Sequence, residues 1–317
     1  MRKRILGQTG ITVSEIGLGA WPLGGAHYGH VETNEATKIV EQYISHGGNF
    51  IDTARVYGQS EEVIGSVIKN ITNREDLIIA TKTTAGETDE TIPQIRKDLE
   101  QSLRNLKSDY VDLFYLHHPP ETIDGMQRAI DEMETLKREG KIHSIGASIK
   151  GLDVTDQTEA LCTMYIGSGR VDVIQVVYSI LRQRLQKTLI AAHDNGIGVV
   201  ARTTLESGFL TGKYLPGHIF PKDDHRSRYD QGRIDDILSN IQILQKMVVK
   251  PPFESLTQIA LKFALQEKSI SSILVGAKTP ASLEHNISIA EMPKLKPEMV
   301  NWIKKQYGDF TNRASSH

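Results

Sequence analysis

Short apolar, β-branched runs alternate along the chain with longer amphipathic stretches. The runs at Glu15–Trp21, Asn49–Thr53, Leu77–Lys82, Val111–His117, His143–Ser148, Val171–Tyr178, Gly196–Arg202 and Ser271–Gly276 predict strands, the first interrupted by Gly17 and Gly19. Between them lie helical signals. Thr33 is expected to open a helix as a side-chain cap, followed by Ala36, Ile39, Val40 and Tyr43 at helical spacing, with Gly47-Gly48 stopping it. Gln59–Lys69 repeats the spacing with Val63, Ile64, Val67 and Ile68, and Ile92–Leu106 with Ile95, Leu99, Leu103 and Leu106. Helices are also predicted over Thr122–Glu139, Leu181–Asp194, Phe253–Gln266 and Pro280–Ala290.

About eight strands alternating with about eight helices imply a mostly parallel sheet. A closed (β/α)8 TIM barrel and an open doubly wound sheet both satisfy this, and eight units in 317 residues fit the barrel, as one domain over 1–317. Two segments break the alternation. Residues 2–14 predict a β-hairpin, Arg4–Leu6 and Thr12–Val13 turning at Gln8-Thr9-Gly10, placed to plug the barrel's bottom. Residues 204–252 form a long loop insertion after the seventh strand, rich in charge and in Gly and Pro, including Lys222-Asp223-Asp224-His225-Arg226.

Composition narrows the function classes. Lys+Arg of 37 against Asp+Glu of 39 leaves a formal charge of −2, so no global basic field holds nucleic acid or an anionic membrane. Cys162 is the one cysteine, which excludes an internal disulfide framework and a cysteine-only metal cluster. No apolar signal core follows the basic Met1-Arg2-Lys3-Arg4-Ile5, and no apolar run is long enough to span a bilayer. A cytoplasmic protein without a membrane or nucleic-acid partner is the expectation.

Two glycine-rich stretches begin like phosphate motifs and fail. Gly17-Leu18-Gly19-Ala20-Trp21-Pro22 has proline where a dinucleotide fingerprint needs its third glycine. Gly208-Phe209-Leu210-Thr211-Gly212-Lys213 has its glycines one residue too close for a P-loop, and Tyr214 stands where a Mg-binding hydroxyl belongs. Its backbone N–H groups can still cradle phosphate in another geometry.

In a barrel, chemistry sits at the C-terminal ends of the strands. Asp52, Lys82 and His117 end successive strands there, with Tyr57 in the loop after the second. Together they describe a proton-donating site. A nearby ammonium stabilises a phenolate, so Lys82 can make Tyr57 a usable acid near neutral pH, Asp52 can hold Lys82, and a neutral His117 can orient a carbonyl.

With Asp52-Thr53-Ala54-Arg55-Val56-Tyr57-Gly58, Thr81-Lys82 and Asp112-Leu113-Phe114-Tyr115-Leu116-His117-His118-Pro119, the sequence resembles the aldo-keto reductase superfamily over nearly its whole length. The resemblance implies a (β/α)8 barrel that binds NADP(H), less often NAD(H), without a Rossmann fold, and interconverts carbonyls and alcohols. It implies Asp52, Tyr57, Lys82 and His117 as the catalytic tetrad, with Gly19, Ala20, Trp21 and Asp52 also near the cofactor. Ser148 and Gln175 align with residues that bind the nicotinamide carboxamide. Ile149 departs from the usual Asn, and Arg202 stands where many members place a stacking aromatic. The stretch with Leu205, Ser207, Gly208, Leu210, Gly212 and Lys213 resembles the loop that wraps the pyrophosphate. Gly276, Lys278, Ser282 and Asn286 resemble the segment holding the adenosine end, with Ser282 where relatives often have Gln or Arg.

Trp21, His27, Tyr28, Tyr57, His117 and His118 are the residues expected to line a small-molecule substrate pocket, with Arg226, Arg228, Tyr229 and Arg233 of the insertion as further contacts. Two other classes compete. Some barrels resembling this family are redox-sensing subunits of membrane channels, a role that would bring a partner-binding segment that the sequence does not display. A metal-dependent hydrolase would need clustered ligands at strand ends. His117-His118 is a weak set, because neighbours on a strand point to opposite faces, and no metal is expected.

Overall fold

The computed structural model describes residues 1–25, 31–71, 73–84, 91–149, 154–222, 224–308 and 310. The chain opens with an antiparallel hairpin of β1 (Lys3–Ile5) and β2 (Thr12–Ser14). Eight parallel strands follow: β3 (Ile16–Gly19), β4 (Phe50–Asp52), β5 (Ile78–Thr83), β6 (Val111–His117), β7 (Ile142–Ser148), β8 (Val173–Val177), β9 (Gly198–Arg202) and β10 (Ser272–Val275). They neighbour one another in chain order, and β10 pairs with both β9 and β3, closing the barrel.

The helices are α1 (Thr33–Ser45), α2 (Ser60–Ile68), α3 (Ile92–Leu106), α4 (Ile123–Arg138), α5 (Asp156–Gly167), α6 (Gln186–Asp194), α7 (Gln231–Val248), α8 (Leu256–Leu265), α9 (Pro280–Ser288) and α10 (Pro297–Tyr307). Among the described residues none is long and apolar enough to cross a membrane.

The period of two along each strand divides the core. Ile51, Ile79, Phe114, Ile174, Val199 and Ile273 face outward and belong to the large apolar layer shared with the helices. Phe50, Ile78, Ala80, Leu113, Tyr115, Val173, Val200 and Leu274 form a separate inner core, to which the hairpin adds Leu6 and Val13. The hairpin therefore seals the bottom. Its turn docks on the loop before β9, with the Gln8 amide donating to the Gly196 carbonyl at 2.7 Å. Gly7 is required there: a Cβ on it would stand 2.3 Å from the Gly198 nitrogen. Arg4 ties the hairpin to the barrel through Glu15, Ile270 O and Leu265 O.

Several local expectations change. The first barrel strand ends at Gly19, and Trp21–Gly24 is a 3-10 turn entered through Pro22. Thr33 is the first residue of α1 rather than its cap. Glu32 holds the cap position, and its side chain does not cap the helix N–H groups. The helix expected from Leu181 starts only at Gln186, because Ser179 and Arg182 pair their backbones in a tight turn first. The insertion after the seventh barrel strand is not all loop: α7 fills its second half, burying Ile234, Leu238, Ile241, Leu244 and Val248. Asp156–Gly167 and Pro297–Tyr307, for which the pattern predicts no helix, form α5 and α10.

Candidate active site

On six of the eight barrel strands, β4 to β9, alternation places one further inward position above the apolar inner core. Phe50 leads to Asp52, Ala80 to Lys82, Tyr115 to His117, Gly146 to Ser148, Val173 to Gln175 and Val200 to Arg202. Every one of these upper positions is polar, so the barrel carries a polar ring at its C-terminal mouth.

The ring is internally bonded. Lys82, fully buried, donates to Asp52 Oδ1 at 2.5 Å and to the Thr53 carbonyl at 2.7 Å. Gln175 donates to Asp52 Oδ2 at 2.8 Å and accepts from Ser148 Oγ at 3.1 Å. Burial pushes the Asp52 carboxyl upward, opposed by the charge and hydrogen bond of Lys82 and by Gln175. The Lys82 ammonium lies 4.9 Å from the centroid of the Tyr57 ring, within cation–π range. The Tyr57 and His117 rings meet edge to face at 5.9 Å. The structure thus brings Asp52, Tyr57, Lys82 and His117 together.

His117 is held neutral. Burial, then the positive charges of Lys82, His118 and Arg202, push its imidazole down to about 2. Its Nδ1 is buried with no hydrogen-bond partner among the described residues. His118 does not follow strand alternation. It leaves β6 with a φ of 62°, and its ring stacks on His117 at 4.6 Å. Arg202 donates to the Ile149 carbonyl at 3.0 Å, so the two departures from the family pattern touch. Burial, with Arg182 adding to it, lowers the Arg202 guanidinium, while Tyr57 and Asp52 act the other way.

Above the ring opens a cleft of about 1030 Å³. Trp21, Tyr57, His117 and His118 line it, as do the cationic Arg202, Lys213, Arg226, Arg228 and Lys278. Arg226 is fixed by Asp224, by the Tyr214 hydroxyl at 3.0 Å and by the Ser207 carbonyl at 3.1 Å. Burial lowers the Lys278 ammonium, with the charges of Arg226 and Lys213 adding to it and those of Tyr214 and Asp224 opposing. Ser282 closes a reciprocal cap with Thr279 at the start of α9, and Asn286 donates to the Gly276 carbonyl at 3.2 Å.

Of the expected cofactor contacts, Gly19, Trp21, Asp52, Gln175, Arg202, Leu205, Ser207, Gly208, Lys213, Gly276, Lys278, Ser282 and Asn286 line the cleft. Ser148 stands behind Gln175. Ala20 is buried with its amide on Asp52 O, Leu210 is buried, and Gly212 lies against Gln245 of α7. Arg228 lines the cleft with Arg226, whereas Tyr229 and Arg233 line a small cavity behind it. His27 and Tyr28 fall outside the described residues. Thr203, Tyr214, Thr257 and His285 also reach the cleft. No local motif marks them. Thr257 arrives from α8 through tertiary packing alone.

A family model described as the aldo/keto reductase family matches residues 15–307. The chain is 29% identical over 291 residues to the aldo-keto reductase YhdN of Bacillus subtilis, covering 88% of this chain and 86% of that one. It is 30% identical over 315 residues to the NADH-specific methylglyoxal reductase of Escherichia coli, covering 91% and 93%. In three dimensions it is similar to the holo form of aldo-keto reductase AKR11C1 from Bacillus halodurans, with a TM-score of 0.76, 26% identity and 96% of each chain covered. Matched by the family model over residues 15–307 and alike in fold to a solved member, the chain belongs to the aldo/keto reductase family.

Proposed function

We propose that this oxidoreductase interconverts aldehydes or ketones, sugar lactols included, with alcohols, using Tyr57 as the proton donor and preferring NADP(H) to NAD(H). The observation that carries the reading is the buried Lys82–Asp52 pair beneath the Tyr57 ring, opening on a cleft lined by Arg202, Lys213, Arg226, Arg228 and Lys278. That cleft fits an elongated anionic dinucleotide, with the unpartnered His117 Nδ1 as a spare polar group on its lining. The cofactor, when bound, supplies or accepts the hydride.

The chain's own residues do the rest. Tyr57 gives its hydroxyl proton to the substrate oxygen in reduction and takes it back in oxidation. The Lys82 ammonium favours the negative charge left on the phenol oxygen. Asp52 and the Thr53 carbonyl keep Lys82 under the ring. His117, neutral at working pH, offers a hydrogen bond to the carbonyl without giving up a proton. Gln175 and Ser148 orient the nicotinamide amide, and Arg202 meets the nicotinamide face or its ribose.

The NADP(H) preference rests on Lys278, Arg226 and Lys213, since a 2′-phosphate asks for charge-assisted hydrogen bonds. The test is a panel of aldehydes, ketones and alcohols run in both directions with each cofactor, following absorbance of the reduced nicotinamide. Turnover with NADPH above NADH is expected. No turnover on any substrate would overturn the enzymatic reading, and a preference for NADH would overturn the cofactor assignment. In titrations, Lys278→Ala should weaken NADPH by roughly 10- to 150-fold and NADH much less. Arg202→Ala should weaken both alike, because both share the nicotinamide end.

A further inference from the structure

The segment after β9 turns in a left-handed conformation without relying on glycine alone. Thr203 has a φ of 60°, Glu206 of 50° and Ser207 of 54°, and Gly208 follows at 91°. Thr203, Leu205, Ser207 and Gly208 line the cleft, whereas Glu206 turns away and is buried behind it. There its carboxylate lies 2.9 Å from Arg182 Nη2 and accepts a short hydrogen bond from Ser179 Oγ. Ser179 Oγ also accepts from the Leu181 amide at 3.1 Å, and Ser179 and Arg182 pair their backbones. All three side chains are buried.

Neither feature is explained by stability. L-residues disfavour left-handed backbone, and buried ion pairs are often no more stabilising than apolar replacements. Proton transfer at Tyr57 does not use these groups, which sit on β8 and β9 loops away from Asp52 and Lys82. Their effect is on position. Ser207, adjacent to Glu206, accepts from Arg226 at 3.1 Å through its carbonyl, so the placement of this turn also places Arg226 on the cleft wall.

We propose that Ser179, Arg182 and Glu206 form a positioning device for the cofactor loop. Glu206, anchored from behind, holds itself, Ser207 and Gly208 left-handed, with Ser207 and Gly208 facing the cleft and Arg226 set beside them. The proposal rests on the reading that the 205–213 segment contacts the cofactor's phosphates.

The experiment compares wild type, Glu206→Gln and the double variant Arg182→Met/Glu206→Leu. Three quantities are read: NADPH and NADH dissociation constants from quenching of intrinsic fluorescence, kcat at saturating cofactor, and the melting temperature. Glu206→Gln keeps a partner for Ser179 but loses the ion pair, and it should weaken NADPH about 10-fold or more. Its kcat at saturation should stay within about twofold, since Tyr57, Lys82 and His117 stand on other elements. The double variant leaves no unpaired buried charge, so its melting temperature should return to that of wild type or above. Its cofactor affinity should remain weak.

Recovery of affinity together with melting temperature in the double variant would show a purely structural knot and overturn the proposal. So would a loss of kcat with affinity unchanged. If Glu206→Gln does not fold, the double variant makes the same comparison. A wild type that binds neither cofactor removes the reading of the 205–213 segment and the proposal with it. A wild type that binds, with every variant binding equally, removes the positioning role alone.

Discussion

Tyr57 is the side chain whose removal should separate chemistry from binding. Tyr57→Phe keeps the ring packed against Trp21 and His117 and deletes only the hydroxyl. Cofactor titration should match wild type while reduction falls by roughly 10²–10⁴-fold, the range for a positioned acid. Wild-type kcat would remove Tyr57 from that role. His117 makes a different prediction. Its native imidazole is pushed down to about 2, whereas in an unfolded chain it titrates near about 6.5. Below that pH the unfolded chain takes up a proton that the native site refuses. The group's contribution is thus fully present above pH ~6.5 and is lost as pH falls toward the native value. His117→Asn should flatten the decline of melting temperature between pH ~6.5 and ~4. Parallel curves for wild type and variant would count against a buried neutral imidazole. At this scale the sequence was legible where a polar residue ended an apolar strand, as at Asp52, Lys82 and His117. It was silent on Glu206, whose importance depends on Ser179 and Arg182, far from it along the chain.

Among the elements, parallel strands were readable because both faces are buried and the runs are nearly continuous in apolar residues. The helix α7 was hidden although its buried residues keep helical spacing, because the charged, glycine-containing stretch before it reads as loop. The helix α5 opens with a Thr155–Thr158 reciprocal cap, without the acidic partner that flags such a start. Loop-to-loop fit was beyond reach. The 3-10 turn after β3 and the loop after β4 interlock through glycine. A Cβ on Gly24 would stand 1.8 Å from the Tyr57 carbonyl oxygen, and one on Gly58, whose φ is 57°, would meet Gly24 O at 2.2 Å. Gly58 lies in a motif visible in the sequence, while Gly24 does not. Gly24→Ala must therefore displace the Tyr57 backbone and disturb how its ring sits on Lys82. It should destabilise by about 1–3 kcal/mol, as overpacking does, and lower kcat more than cofactor affinity. Thermal melting with steady-state kinetics checks it, and a soluble, fully active variant would contradict the interlock.

For the molecule as a whole, the hairpin's part is stability. Leu6 is fully buried in the inner core with Val13, Phe50 and Val200. Leu6→Ala should reduce unfolding free energy by about 2–5 kcal/mol, measured by urea denaturation. Cofactor affinity of the folded protein should hold, because the polar ring lies at the opposite end. A parallel loss of affinity would mean that the two ends are coupled. The sealed floor also governs traffic. Among the described residues, a barrel stoppered by Leu6 and packed with side chains to the level of Tyr115 opens at its C-terminal mouth, and the Lys82–Asp52 pair sits at the back of the room behind that doorway. In the proposed reaction, two visitors would meet there and share that doorway. Whichever rests deeper enters first and leaves last, so the order of arrival and departure is written into the architecture before any affinity is considered.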